Sequence, residues 1–144
     1  MKRNIKNEFK LVLPATSDNA QVAIETLSKF IANDLIFGEL ESNIKAAVTE
    51  AINNVVDHAY ANNNYEFDNI ILYCRLDENK LSVTVSDKGI GIDDLNKAKT
   101  PLFTTGSEFE HSGMGFTIME QFSDSIYIAS KSGVGTKVRL IFKI

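Results

Sequence analysis

Apolar positions along this chain change period several times, and each change marks an element. "FKLVL", from Phe9 to Leu13, has strand character and is closed by Pro14, which has no N–H to give to a ladder. Over residues 18–36, Val22, Ala23, Leu27, Phe30, Ile31 and Leu35 recur mostly at three- and four-residue spacings, which predicts an amphipathic helix with Ser17 or Asp18 as its N-cap. A second helix is expected over 41–61, where Ile44, Ala47, Val48, Ala51, Ile52, Val55, Val56 and Ala59 make a wide apolar stripe. The asparagine run at 62–64 ends it. The period then falls to two, so "FDNIILYCRL" and "KLSVTVSDKG" read as antiparallel strands joined by polar turn residues at 77–79. A short helix at 93–99, a glycine-rich loop, a further helix starting near Gly113 and a last hairpin of "SIYIAS" and "TKVRLIF" around "KSGVG" complete the pattern.

Helices and strands thus come in clumps rather than in strict alternation. That order predicts an α+β fold: a two-layer sandwich with a mixed, mainly antiparallel sheet and helices on one face. At 144 residues and 44% hydrophobic content the chain has the size and apolar matter of one domain, 1–144. Its formal charge of -4 supplies no basic field, so proteins or small ligands are expected as partners rather than nucleic acid or an anionic membrane. Cys74 is the sole cysteine and His58 and His111 the only histidines, which excludes an internal disulfide framework and a Cys/His zinc cluster. The charged start "MKRNIKNEFK" and the lack of a long apolar run predict a cytoplasmic protein without export or membrane insertion.

Three groups of residues carry candidate chemistry. In "EAINN" Glu50 and Asn54 stand one helical turn apart on a flank of the apolar stripe, along the rim of the core. A carboxylate and an amide so placed could divide labour as general base and ligand of a hard cation such as Mg²⁺; they would equally suit a solvated polar edge. In "VTVSDKGIGID" the inward parity of Leu81, Val83 and Val85 extends to Asp87, aiming a carboxylate at the interior, where an adenine amino group, a main-chain amide or water could meet it. Gly89 and Gly91 would let the chain lie against a flat ring, or simply turn. Thr136 shares the inward parity of Val138, Leu140 and Phe142 and could act beside Asp87, or satisfy its hydroxyl on its own backbone. Third, Gly113 and Gly115 open a helix anchored by Phe116, Met119 and Phe122, so its free N–H groups would face a loop bearing Thr104, Thr105, Ser107 and Ser112. That is an anion site in outline, although the Walker pattern is absent.

Taken in order, a glutamate–asparagine pair on a helix, D-x-G-x-G after a strand, a glycine-rich lid into a helix and an inward threonine late in the chain resemble the GHKL ATP-binding family. Within it, "PLFTTGSEFEHSGMGFTIME" is similar to the bacterial anti-sigma-factor serine kinases, and the resemblance runs from Phe9 to Phe142. It implies Mg-ATP and ADP held between helices and lid. Glu50 would be the base for a substrate serine and Asn54 the Mg²⁺ ligand. Asp87 would accept from adenine near Thr136, with Gly89 and Gly91 against the nucleotide. The lid residues Thr104, Thr105, His111, Ser112, Gly113, Met114 and Gly115 would surround the phosphates. It also implies a homodimer formed through the N-terminal strand region, a sigma factor as the sequestered partner, and an anti-anti-sigma protein as the phosphoacceptor. His111 stands where that branch carries an arginine suited to the γ-phosphate, and the arginine of its first helix has no counterpart near Ile24. An imidazole neutral near pH 7 stabilises transition-state charge less well than a guanidinium. The alternative is therefore a nucleotide-gated binding module without efficient phosphotransfer.

Overall fold

A computed structural model describes residues 5–32, 38, 40–60, 68–92 and 115–144. The elements in chain order are β1 (Ile5–Pro14), α1 (Ser17–Ala32), α2 (Glu41–Asn54), a π-helical turn (Val55–Ala59), β2 (Asn69–Asp77), β3 (Lys80–Asp87), α3 (Gly115–Phe122), β4 (Ser125–Lys131) and β5 (Gly135–Lys143). The helix expected at 93–99 lies outside the described residues.

Five strands form one sheet in the order β1-β2-β3-β5-β4, and all four pairings are antiparallel. The β2–β3 hairpin closes where it was expected, because the Asp77 carboxylate accepts from the N–H groups of both Asn79 (2.8 Å) and Lys80 (2.9 Å). The alternation of side chains puts Ile70, Leu72, Cys74 and Leu76 of β2, Leu81, Val83 and Val85 of β3, and Val138, Leu140 and Phe142 of β5 on one buried face. All described helices cover that face. The α2 stripe is buried through Ile44, Ala47, Val48, Ala51, Ile52 and Val55, as its spacing predicts, and Phe9 meets Phe30 edge-on at 4.9 Å to seat α1 on β1. Burial also pushes the Cys74 thiol far above the usual range, so it is a core group.

Two details of α1 differ from the sequence expectation. Its cap is Thr16, whose hydroxyl accepts from the Asn19 N–H at 3.1 Å, so the helix begins one residue before a Ser17 cap would allow and two before an Asp18 cap. Val22 is 44% exposed, because it sits about 140° round the helix from the centre of the stripe made by Ala20, Ala23, Leu27, Phe30 and Ile31.

Candidate functional site

The end of the sheet where β3 leaves and β5 enters is built from polar residues. Asp87 and Thr136 are register partners across β3–β5, and Ser130 is the partner of Thr136 across β4–β5. The three continue the apolar rows of the buried face, one step past Val85, Val138 and Ile128. Inward parity therefore delivers a carboxylate and two hydroxyls to the rim of the core. The Asp87 carboxylate accepts from the Gly89 N–H at 2.8 Å. Desolvation raises its pKa above the ordinary aspartate value, and the main-chain N–H groups of Gly89 and Thr136 pull it back only in part.

The chain beyond Asp87 is held on three sides. Tyr60 stands just after the π-helical turn; its hydroxyl donates to the Asn69 carbonyl (2.7 Å) and accepts from the Lys88 N–H (3.1 Å). The π-helical turn ends with the Ala59 carbonyl, which accepts from the Ile90 N–H at 2.7 Å. Gly89 lies so close to this carbonyl that an added Cβ would overlap it. Gly91, at φ +74°, faces the Lys131 carbonyl in the same way, and Ile90 returns a bond by accepting from the Gly133 N–H at 2.7 Å. The D-x-G-x-G stretch is thus pinned between the end of α2 and the β4–β5 turn. Its glycines are required by close approach.

Glu50 and Asn54 are half-buried on α2, at the edge of its buried stripe, as the spacing predicts. The structure brings Gly115, at the N-terminal end of α3, directly over them: an added Cβ would lie 3.3 Å from Glu50 Oε2 and 3.6 Å from both Asn54 Oδ1 and Nδ2. α3 is fastened there by Met119, which is fully buried, with Phe116 and Phe122 packed at the edge of the core. The N-terminal end of α3 thus adjoins a carboxylate and an amide, groups that suit anionic oxygens and a hard cation. Among the described residues no group of three or more His, Cys, Asp or Glu could hold a metal. A divalent ion at Asn54 would therefore share its coordination with ligand oxygens and water, which is the habit of Mg²⁺. Thr104, Thr105, His111, Ser112, Gly113 and Met114 lie outside the described residues.

Sequence reasoning passed over Ser130, Tyr60 and the π-helical turn. The signal for Ser130 was present, since it follows Ile126 and Ile128 at a period of two. Nothing in Val55–Ala59 distinguishes a π turn from α-helix.

Comparison with known proteins identifies the family to which the chain belongs. The family described as "Histidine kinase-like ATPase domain" matches residues 13–142. The chain is 42% identical over 137 residues to the anti-sigma F factors of Bacillus licheniformis and Bacillus subtilis, covering 94% of this chain and 92% of each relative. It is 41% identical over 133 residues to that of Clostridium perfringens, covering 92% and 93%. Among solved structures, that of the RsbU and RsbW domains of Rv1364c from Mycobacterium tuberculosis superposes with a TM-score of 0.66 at 19% identity, over 95% of this chain and 32% of that longer one. The α+β sandwich, the matched family and the relatives that align over nearly their full length place this chain in the histidine kinase-like ATPase family, among the anti-sigma factors.

Proposed function

We propose that the whole chain acts as one ATP-binding domain that sequesters a sigma factor and phosphorylates a serine of an anti-anti-sigma antagonist. The observation that carries this reading is the meeting of Glu50, Asn54 and Gly115 at the N-terminal end of α3. A pure binding pocket has no need of a carboxylate beside the phosphate-facing helix end. In this reading Asp87 accepts from the adenine amino group, with Thr136 beside it, while Gly89 and Gly91, packed on the Ala59 and Lys131 carbonyls, hold the main chain at the edge of the nucleotide. Gly115 and the lid residues Thr104, Thr105, His111, Ser112, Gly113 and Met114 surround the phosphates. Asn54 Oδ1 would hold Mg²⁺, and Glu50 accepts the proton of the attacking serine hydroxyl. Bound Mg²⁺ would supply positive charge to offset that of the phosphates.

The same reading has the protein work in the cytoplasm as a homodimer formed through the N-terminal strand. In support, β1 is one of the two edge strands of the described sheet and leaves Ile5 and Val12 exposed. The described residues contain no helix long and apolar enough to cross a membrane.

Nucleotide preference tests the pocket. Guanine replaces the amino group that Asp87 would meet with a carbonyl, so in the presence of Mg²⁺ calorimetry should show ATP and ADP binding well ahead of GTP. Equal affinities would contradict the assignment. The preference needs the ionised carboxylate, and its folded-state pKa lies above the ordinary value. Discrimination is therefore complete above that pKa and fades as pH falls through it, earlier than an exposed aspartate would allow.

A further inference from the structure

Ser130 has more neighbours than it has protons. Its Oγ lies 2.7 Å from the Ile92 N–H, 3.1 Å from the Gly135 carbonyl and 2.7 Å from Thr136 Oγ1. A serine hydroxyl has one proton and two lone pairs. The Ile92 N–H can only donate, and the Gly135 carbonyl can only accept. Ser130 therefore satisfies all three neighbours in one way: it accepts from Ile92, donates to Gly135 and accepts from Thr136. The reverse arrangement, with Ser130 donating to Thr136, leaves the Gly135 contact without a proton.

That assignment commits the Thr136 proton to Ser130. What Thr136 then offers on its other side is lone pairs alone, next to the carboxylate of its register partner Asp87. Two acceptors side by side suit an amino group and repel a carbonyl. The Ile92 bond also ties the far end of the 87–92 stretch to β4, so Ser130 fixes the loop and the polarity of the hydroxyl together.

We infer that Ser130 is a specificity-determining residue, which holds Thr136 as a hydrogen-bond acceptor so that the pocket selects a 6-aminopurine over a 6-oxopurine. The inference rests on the reading of Asp87 as the adenine acceptor. Without Ser130 the Thr136 hydroxyl is free to turn and donate, and a 6-oxo group then gains a donor that it lacks in the native protein.

ATP and ITP isolate this effect, because they differ at the purine 6-position and in the proton on the adjacent ring nitrogen. Calorimetric titration of the full chain with both nucleotides and Mg²⁺ should show Ser130→Ala lowering the ATP-to-ITP affinity ratio about tenfold, the scale of one mismatched hydrogen bond. Ser130→Thr, which keeps the hydroxyl, should retain the ratio. Thr136→Val, which removes the acceptor but leaves the Ser130 bonds to Ile92 and Gly135 in place, should lower the ratio by a similar factor and serves if Ser130→Ala folds poorly. Adding Ser130→Ala to Thr136→Val should then change the ratio no further. A native ratio near one would mean that Asp87 does not read adenine, which is a failure of the underlying assignment. A high native ratio that survives Ser130→Ala or Thr136→Val, even with both affinities reduced in parallel, would overturn the role of Ser130 alone.

Discussion

Replacing Glu50 by glutamine is expected to leave ATP bound and to lower phosphotransfer to the antagonist serine by roughly a hundredfold or more, the scale of losing a general base. Glutamine keeps the size of the side chain and one of its acceptor oxygens, so the half-buried site at the flank of α2 need not rearrange. What disappears is the capacity to take a proton. Oε2 lies near Gly115 at the end of α3, where in the proposed mechanism the carboxylate would meet the attacking hydroxyl. Binding measured by calorimetry and single-turnover transfer measured on the same preparation separate the two effects. A fall in ATP affinity that accounts for the whole fall in rate would make Glu50 a binding residue and remove the base from the mechanism.

Gly89→Ala is expected to cost about 3 kcal/mol or more of stability and to weaken ATP binding sharply, near the upper end of what overpacking does. The obstacle is main chain rather than a flexible side-chain tip, since the new methyl would overlap the Ala59 carbonyl. Relief requires separating the 87–92 stretch from the π-helical turn, which breaks the 2.7 Å bond from the Ile90 N–H to Ala59 and moves Asp87 with it. Gly133→Ala is the matched control. Gly133 has φ +77° but open space around it, so alanine there carries only left-handed strain of about 1–2 kcal/mol. Thermal unfolding and ATP titration of both variants should therefore diverge. Equal losses would show that the contact with Ala59 does not hold the loop.

Much of this organisation was legible in the residue pattern, for reasons that can be named. Strands announce themselves by a period of two that burial on one face enforces, so the two hairpins fell where the alternation put them. The same parity carried past Val85 and Val138 to Asp87 and Thr136, which are register partners. The α2 stripe was legible because it is wide and apolar, and the half-buried Glu50 and Asn54 fall on its flank. Val22 was misjudged because spacing alone does not locate the centre of a stripe. Thr16 was passed over as a cap because Ser17 and Asp18 are equally good hydroxyl or carboxylate acceptors next to it. The contacts of Gly89 with Ala59, of Tyr60 with Lys88 and of Ser130 with Ile92 join segments far apart in sequence. No local pattern records such pairs; only the closed sheet and the turn at the end of α2 bring them together. His111 and the lid residues 104–114 lie outside the described residues, and His111 is one of the two places where the chain departs from its branch.

One experiment tests transfer of phosphate to protein directly. The protein is mixed with Mg²⁺, ATP labelled at the γ-phosphate and its anti-anti-sigma antagonist, and the label is followed by gel and mass spectrometry. Stoichiometric label on a single serine of the antagonist is expected, appearing roughly a hundredfold or more slowly when Glu50→Gln replaces the native protein. Label that stays on ATP, or that appears only as free phosphate while the antagonist remains unmodified, would contradict it and leave a nucleotide-gated binding module in its place.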